Sequence, residues 1–157
     1  MVVSITGDHS PKPYLQTPFN ESQARFSPNG KFVAYVSNES GPNEVYIQSF
    51  PRSMTKIQVS ANGGTHPEWN QEGSELYYGR QEQDGTWSLM VAKVTGDRAG
   101  PAQKLFGGIT GFWEPSRSGF SVFDKGQRFL MSVLVPVTAP QVITVGHNWM
   151  AGLPGKR

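Results

Sequence analysis

Three histidines are the side chains of this sequence that titrate near neutral pH, and His66 lies away from the termini, in "GGTHPEW" over residues 63–69. An imidazole there, with the Thr65 hydroxyl beside it and Glu68 two residues on, could serve as a base or ligand at the mouth of a site. It could equally fix a turn by hydrogen bonds. His9 and His147 lie near the termini, and no spaced acidic partners join the three into a metal site. Glu68 and Glu114 are the carboxylates that could work as an acid–base pair, although nothing in their spacing brings them together. "GFSVF" at 119–123 lacks the second glycine of a nucleophile elbow. Asp84-Gly85 reads as a hairpin turn rather than a calcium loop. No catalytic residue, metal or cofactor is therefore assigned, and the reading leans away from an enzyme.

Composition narrows the classes further. Gly 18 and Pro 12 imply many turns, and 11% aromatics set the chain apart from disordered sequences. A net charge of +2, with basic residues scattered singly between acids, offers no track for nucleic acid. The absence of cysteine excludes disulfides and thiol chemistry. No apolar run approaches the about 20 residues of a membrane helix, and "MVVSITGDHS" lacks the basic and apolar regions of a signal peptide. The expectation is a cytoplasmic chain without membrane or nucleic-acid partners.

The elements that must position any site come from an internal repeat. "RFSPNGKFVAYVS", "EWNQEGSELYYGR" and "SVFDKGQRFLMSV" align on Gly30, Gly73 and Gly126. Four residues before each glycine stands Phe26, Trp69 or Val122. Three to five residues after it come Val33-Ala34-Tyr35, Leu76-Tyr77-Tyr78 and Phe129-Leu130-Met131. Each unit reads as strand, tight turn, strand, with glycine where φ is positive. Further β-like runs follow: "EVYIQ", "SLMVAK" and "QVITV", then "KIQVS" and "AQKLF". The 43 residues from Gly30 to Gly73 match a four-stranded propeller blade, strands A to D. Phe26, Trp69, Val33, Leu76, Tyr35, Tyr78, Phe129 and Met131 are expected to be buried between blades.

The run "ARFSPNGKFVAYVSNESGPNEVYIQSFP", followed by "VSANGGTHPEW", resembles TolB-type β-propeller repeats, which are WD40-like in organisation. It is most similar to the propeller region at the C-terminal end of many bacterial serine/threonine protein kinases. The resemblance covers about residues 2–153, including "NWMAGL", and implies an all-β propeller in a bacterial protein. The second and third turns, Asn70-Gln71-Glu72-Gly73 and Phe123-Asp124-Lys125-Gly126, depart from the family's Ser-Pro-Asp-Gly. No kinase motif is present, so kinase activity does not carry over.

One half-propeller domain over 1–157 is the expected organisation. Residues 1–19 would supply closing strands, 20–60, 61–106 and 107–146 three blades, and 147–157 a tail. "VVSI" and "PYLQT" read as spare strands C and D, whereas the third unit lacks a clear strand D. Three blades do not close a ring, so a second copy is expected to complete six, pairing Tyr14-Leu15-Gln16 with the partner's strand near Val142 to Val145. A–B and C–D turns would share one face, and B–C and D–A loops the other. That second face carries Thr65, His66 and the long 107–119 segment with Phe112, Trp113, Glu114 and Arg117, aromatics beside arginine being common in hot spots. The expected function is a non-catalytic scaffold for a protein or peptide. A small-molecule-binding or hydrolytic propeller with a polar site at the channel mouth is the alternative.

Overall fold

The structure is a computed structural model that describes residues 1–52, 54–110 and 119–132. Within them the chain is all-β, with antiparallel sheets and one single-turn 3-10 helix at Asp124–Gly126. The first sheet has the order β1 (Glu21–Phe26), β2 (Phe32–Ser37), β3 (Glu44–Ser49), β4 (Lys56–Gln58). The second runs β5 (Thr65–Trp69), β6 (Glu75–Gln81), β7 (Trp87–Thr95), with β9 (Gln103–Ile109) pairing β7. A short β8 (Arg98–Ala99) folds back on the end of β7. β10 (Phe120–Phe123) and β11 (Arg128–Met131) form a hairpin. No helix among the described residues is long and apolar enough to cross a membrane.

The turn glycines behave as their repeat requires. Gly30, Gly73 and Gly126 have φ of 67°, 70° and 87°, where a Cβ is penalised. In the first turn the Gly30 amide donates to the Ser27 carbonyl at 2.8 Å, and the Phe32 amide donates to Ser27 Oγ at 3.0 Å. In the second, Asn70 replaces serine: its Oδ1 accepts from the Ser74 amide at 2.9 Å. Successive turns also touch. A Cβ at Gly73 would stand 3.3 Å from Pro28 Cδ, and Lys125 Nζ lies 3.3 Å from Glu72 Oε1.

Strand alternation divides the core between neighbours. Ala34, Val36, Val45 and Ile47 of the first sheet pack against Trp69, Leu76, Tyr78, Met90 and Ala92 of the second. The opposite face of the second sheet presents Tyr77, Trp87 and Leu89 to Phe120, Val122, Phe129 and Met131 of the hairpin. Strand β5 lies against β1 on one side and β10 on the other, so the first strand of each unit is central.

Two expectations change. Phe26 is 52% exposed rather than buried, and Phe129 and Met131 are half-buried. The repeat gives the reason for Phe26. The residue four before the glycine faces the preceding sheet: Trp69 faces the first sheet and Val122 the second. Phe26, paired with Val33, faces the side of the first sheet where no sheet precedes it, and touches Phe50 at 4.9 Å between ring centroids. Likewise residues 2–5 and 13–17 form no strand in this chain. The segment makes one isolated bridge, Val2 to Lys12, and Tyr14 donates to the Ser49 carbonyl at 2.7 Å. The expected third strand "QVITV" and the tail lie outside the described residues.

Packing direction makes a testable contrast. Trp69→Ala removes a ring enclosed between two sheets and should cost about 3–5 kcal/mol in denaturant unfolding. Phe26→Ala should cost about 1 kcal/mol or less, because that ring already faces water.

Candidate functional site

The loops converge as strand connectivity requires. The 38–43 connection, the 61–64 connection and the adjoining ends of β6 and β7 border one cleft of about 340 Å³. Its lining is Pro42, Asn43, Asn62, Gly63, Gly64, Thr65, Gly79, Gln81 and Trp87, with no charged side chain among them. The "ANGG" bend forms because Asn62 and Gly63 both take positive φ, 64° and 99°. A buried carboxylate holds it. Glu44, 2% exposed, accepts from the Ser60 hydroxyl and, at 2.8 Å, from the Gly63 amide. The Ser60 oxygen in turn accepts from the Val45 amide at 2.7 Å. Gly64 is pressed so closely that a Cβ would fall 2.4 Å from Ser60 Oγ. Glycine at position 64 of this wall is therefore a consequence of tight packing behind it.

Thr65 lines the cleft and His66 lies beneath it, 9% exposed. Both belong to a clasp between the two central strands. Gln23 Oε1 accepts from the Thr65 hydroxyl at 2.9 Å and from the His66 amide at 2.6 Å. With the Thr65 proton committed to Gln23, its oxygen accepts from His66 Nδ1 at 3.1 Å, which places the ring proton on Nδ1. Gln23 and His66 each stand seven residues before a turn glycine. Each sits at a β-bulge with φ of 54° and 52°. A non-glycine residue there carries backbone strain, which the clasp hydrogen bonds offset. The His66 backbone amide thus joins the two central strands, while its ring bonds the neighbouring Thr65. Two residues further on, Arg25 Nε donates to Glu68 Oε2 at 3.1 Å, so Glu68 is ion-paired across the same junction. The pairing of Glu68 with Glu114 considered in the sequence falls partly outside the described residues, since Glu114 is not among them. Phe112, Trp113, Glu114 and Arg117 lie outside them.

A second, charged cleft of about 780 Å³ shares Asn62 and Gln81 with the first and adds Arg80, Glu82, Asp84, Lys104 and Gly108. Glu82 Oε1 accepts from Arg80 at 3.0 Å, from Lys104 at 3.3 Å, and from the Ser88 hydroxyl. The Ser88 hydrogen bond and then the Arg80 guanidinium hold the Glu82 carboxyl down at about 2. Asp84 is lowered by the Thr86 hydroxyl and amide. Among the described residues no group of three His, Cys, Asp or Glu could hold a metal ion.

Sequence reading missed Gln23, Glu44 and the Arg80–Glu82–Lys104 cluster. The shared offset of Gln23 and His66 from the turn glycine was the signal for the first. Nothing local marks Glu44, because its partners come from residues 60 and 63.

No family model matches the sequence, and no curated protein is similar to it. Several solved structures share its fold, two TolB structures among them. A protein assigned as TolB from Agrobacterium tumefaciens superposes with a TM-score of 0.51 over 60% of this chain and 36% of its own, at 14% identity. TolB from Acinetobacter baumannii gives 0.51 over 68% of this chain and 25% of its own, at 15% identity. This chain adopts a TolB-like β-propeller fold, and it spans about a quarter to a third of the length of those structures.

Two outcomes are expected here. Gln23→Ala leaves the Thr65 hydroxyl and His66 amide without their acceptor and should lower stability by about 1–3 kcal/mol in denaturant unfolding. Glu82, whose carboxyl is depressed in the folded chain, stabilises the fold above the ordinary glutamate range and loses that contribution as pH falls towards 2. An NMR titration should put its midpoint well below that of a free glutamate, and Ser88→Ala should move it upward.

Proposed function

We propose that this chain is a non-catalytic β-propeller scaffold, three blades long, that binds a protein or peptide segment across its loop face. Its blades span 20–60, 61–106 and 107–146, and a second copy completes six. The kinship with the propeller regions of bacterial serine/threonine kinases belongs to this reading, on the sequence motifs alone. The observation that carries the binding role is the neutral cleft at Asn43, Asn62, Gly63 and Gln81. The exposed side-chain amides of Asn43, Asn62 and Gln81 offer donors and acceptors together, the complement of a peptide main chain. Trp87 supplies an apolar wall for a side chain. Thr65 borders the cleft, while Phe112, Trp113, Glu114 and Arg117 extend the face in this reading and His66 supports it from below.

The test is selection of peptides from a displayed random library on the purified chain, followed by affinity measurement on variants. Asn62→Ala, Gln81→Ala, Trp113→Ala and Arg117→Ala should each weaken a selected peptide by about tenfold, one lost contact of about 1.4 kcal/mol. Unchanged affinity in all four, with the fold intact, would remove this face from the function. A sugar, metal or other small molecule that raises the melting temperature strongly, where no peptide binds, would favour the alternative of a small-molecule site.

A further inference from the structure

We propose that the outer face of the first sheet, where Phe26 is exposed while Val33 and Tyr35 lie buried beside Tyr14 and Leu15, is a docking surface for the outer face of the β10–β11 hairpin of a second copy, joined head to tail. The inference rests on the three-blade reading above and specifies the seam. In the second sheet, Trp69, Leu76 and Tyr78 face the sheet before it; in the hairpin, Val122, Phe129 and Met131 do the same. The matching residues of the first sheet, Phe26, Val33 and Tyr35, wall a cavity of about 460 Å³ together with Tyr14 and Leu15. Ser22 and Gln23 also line it, and they hold in β1 the places of Thr65 and His66 in β5. The donating half of the clasp seen between β1 and β5, a hydroxyl followed by a backbone amide, is thus repeated on the open side of β1.

The opposite end of the row carries the other half of the surface. Ser121 pairs Leu130 and Phe123 pairs Arg128 on the side of the hairpin away from the second sheet. Leu130 and Phe123 are 77% and 58% exposed. Leu130 stands four residues after its turn glycine, as do Ala34 and Tyr77, which are buried against the following unit. Among the described residues no sheet stands before the first or after the hairpin, and in this proposal a second copy supplies both. Such a contact joins different surfaces and forms a closed ring when the rotation allows; two sets of three blades make six, within the range known for propellers. Tyr14 and Leu15 place the N-terminal segment at this seam.

Both Phe26 and Leu130 are exposed, so their substitution leaves the fold of one copy intact, which circular dichroism checks. By sedimentation, the wild-type chain should be a dimer that dissociates on dilution, and Leu130→Asp or Phe26→Asp should each weaken it by at least about tenfold. The chain has no cysteine. A mixture of Phe26→Cys and Leu130→Cys chains should therefore cross-link between copies, while Leu130→Cys alone should not. A dimer insensitive to both aspartates, or cross-linked through Leu130→Cys alone, would overturn the seam and leave dimerisation standing. A wild-type monomer at every concentration would overturn both. Peptide affinity measured on Leu130→Asp tests the loop-face reading separately, because the neutral cleft lies within one copy.

Discussion

The first and second sheets of this protein are apolar on both faces, and a face left in water costs about 25 cal/mol for every Å² of apolar surface. That constraint sets the architecture. In the second sheet, Leu76 and Tyr78 turn one way while Tyr77 and Leu89 turn the other, and all four are buried. A strand with alternate residues buried on opposite sides has a place only between two neighbours. The first sheet and the β10–β11 hairpin are those neighbours. Their own outer faces carry the same pattern, which is why Tyr14 and Phe50 gather over Phe26 at one end and Leu130 stands exposed at the other.

Stacking alone would let the sheets slide. The central strands prevent it with directional bonds: Gln23 to Thr65 and His66, Arg25 to Glu68, and Trp69 Nε1 to the Arg25 carbonyl at 3.3 Å. The ion pair is partly exposed and contributes about 1 kcal/mol at most. The clasp involves a buried amide and hydroxyl, so leaving those unpartnered is the larger penalty. By fixing β5 against β1, these bonds also fix the "ANGG" bend and hence the shape of the neutral cleft. The loop face inherits its geometry from the axis.

Much of this was legible in the sequence. The three turn glycines, the strands around them and the separation of turns from loops all follow from a 43-residue period and ordinary turn chemistry. Burial of Phe26 was misread because its environment depends on which sheet precedes it, information that no single unit contains. Gly107 and Gly108 were read as loop yet belong to β9. The physical reason lies in packing: a Cβ at Gly107 would fall 2.6 Å from Lys104 Cε and Ser88 Oγ, so the glycine permits a close approach rather than a turn. The Gln23 clasp and the Glu44 anchor were hidden for a related reason. Their partners lie 42 and 43 residues away for Gln23, and 16 and 19 for Glu44, and only the folded stacking brings them together.

The central claim is the order and facing of the sheets, with the residue four before each turn glycine directed at the preceding one. Proton NMR contacts of the Trp69 indole test it most directly. The account predicts cross-peaks from that ring to the methyl groups of the first sheet, Val36 and Ile47 among them, and from the Tyr77 ring to Phe129, whose centroid lies 5.1 Å away. Cross-peaks from Trp69 to the β10–β11 hairpin, with none to the first sheet, would contradict it.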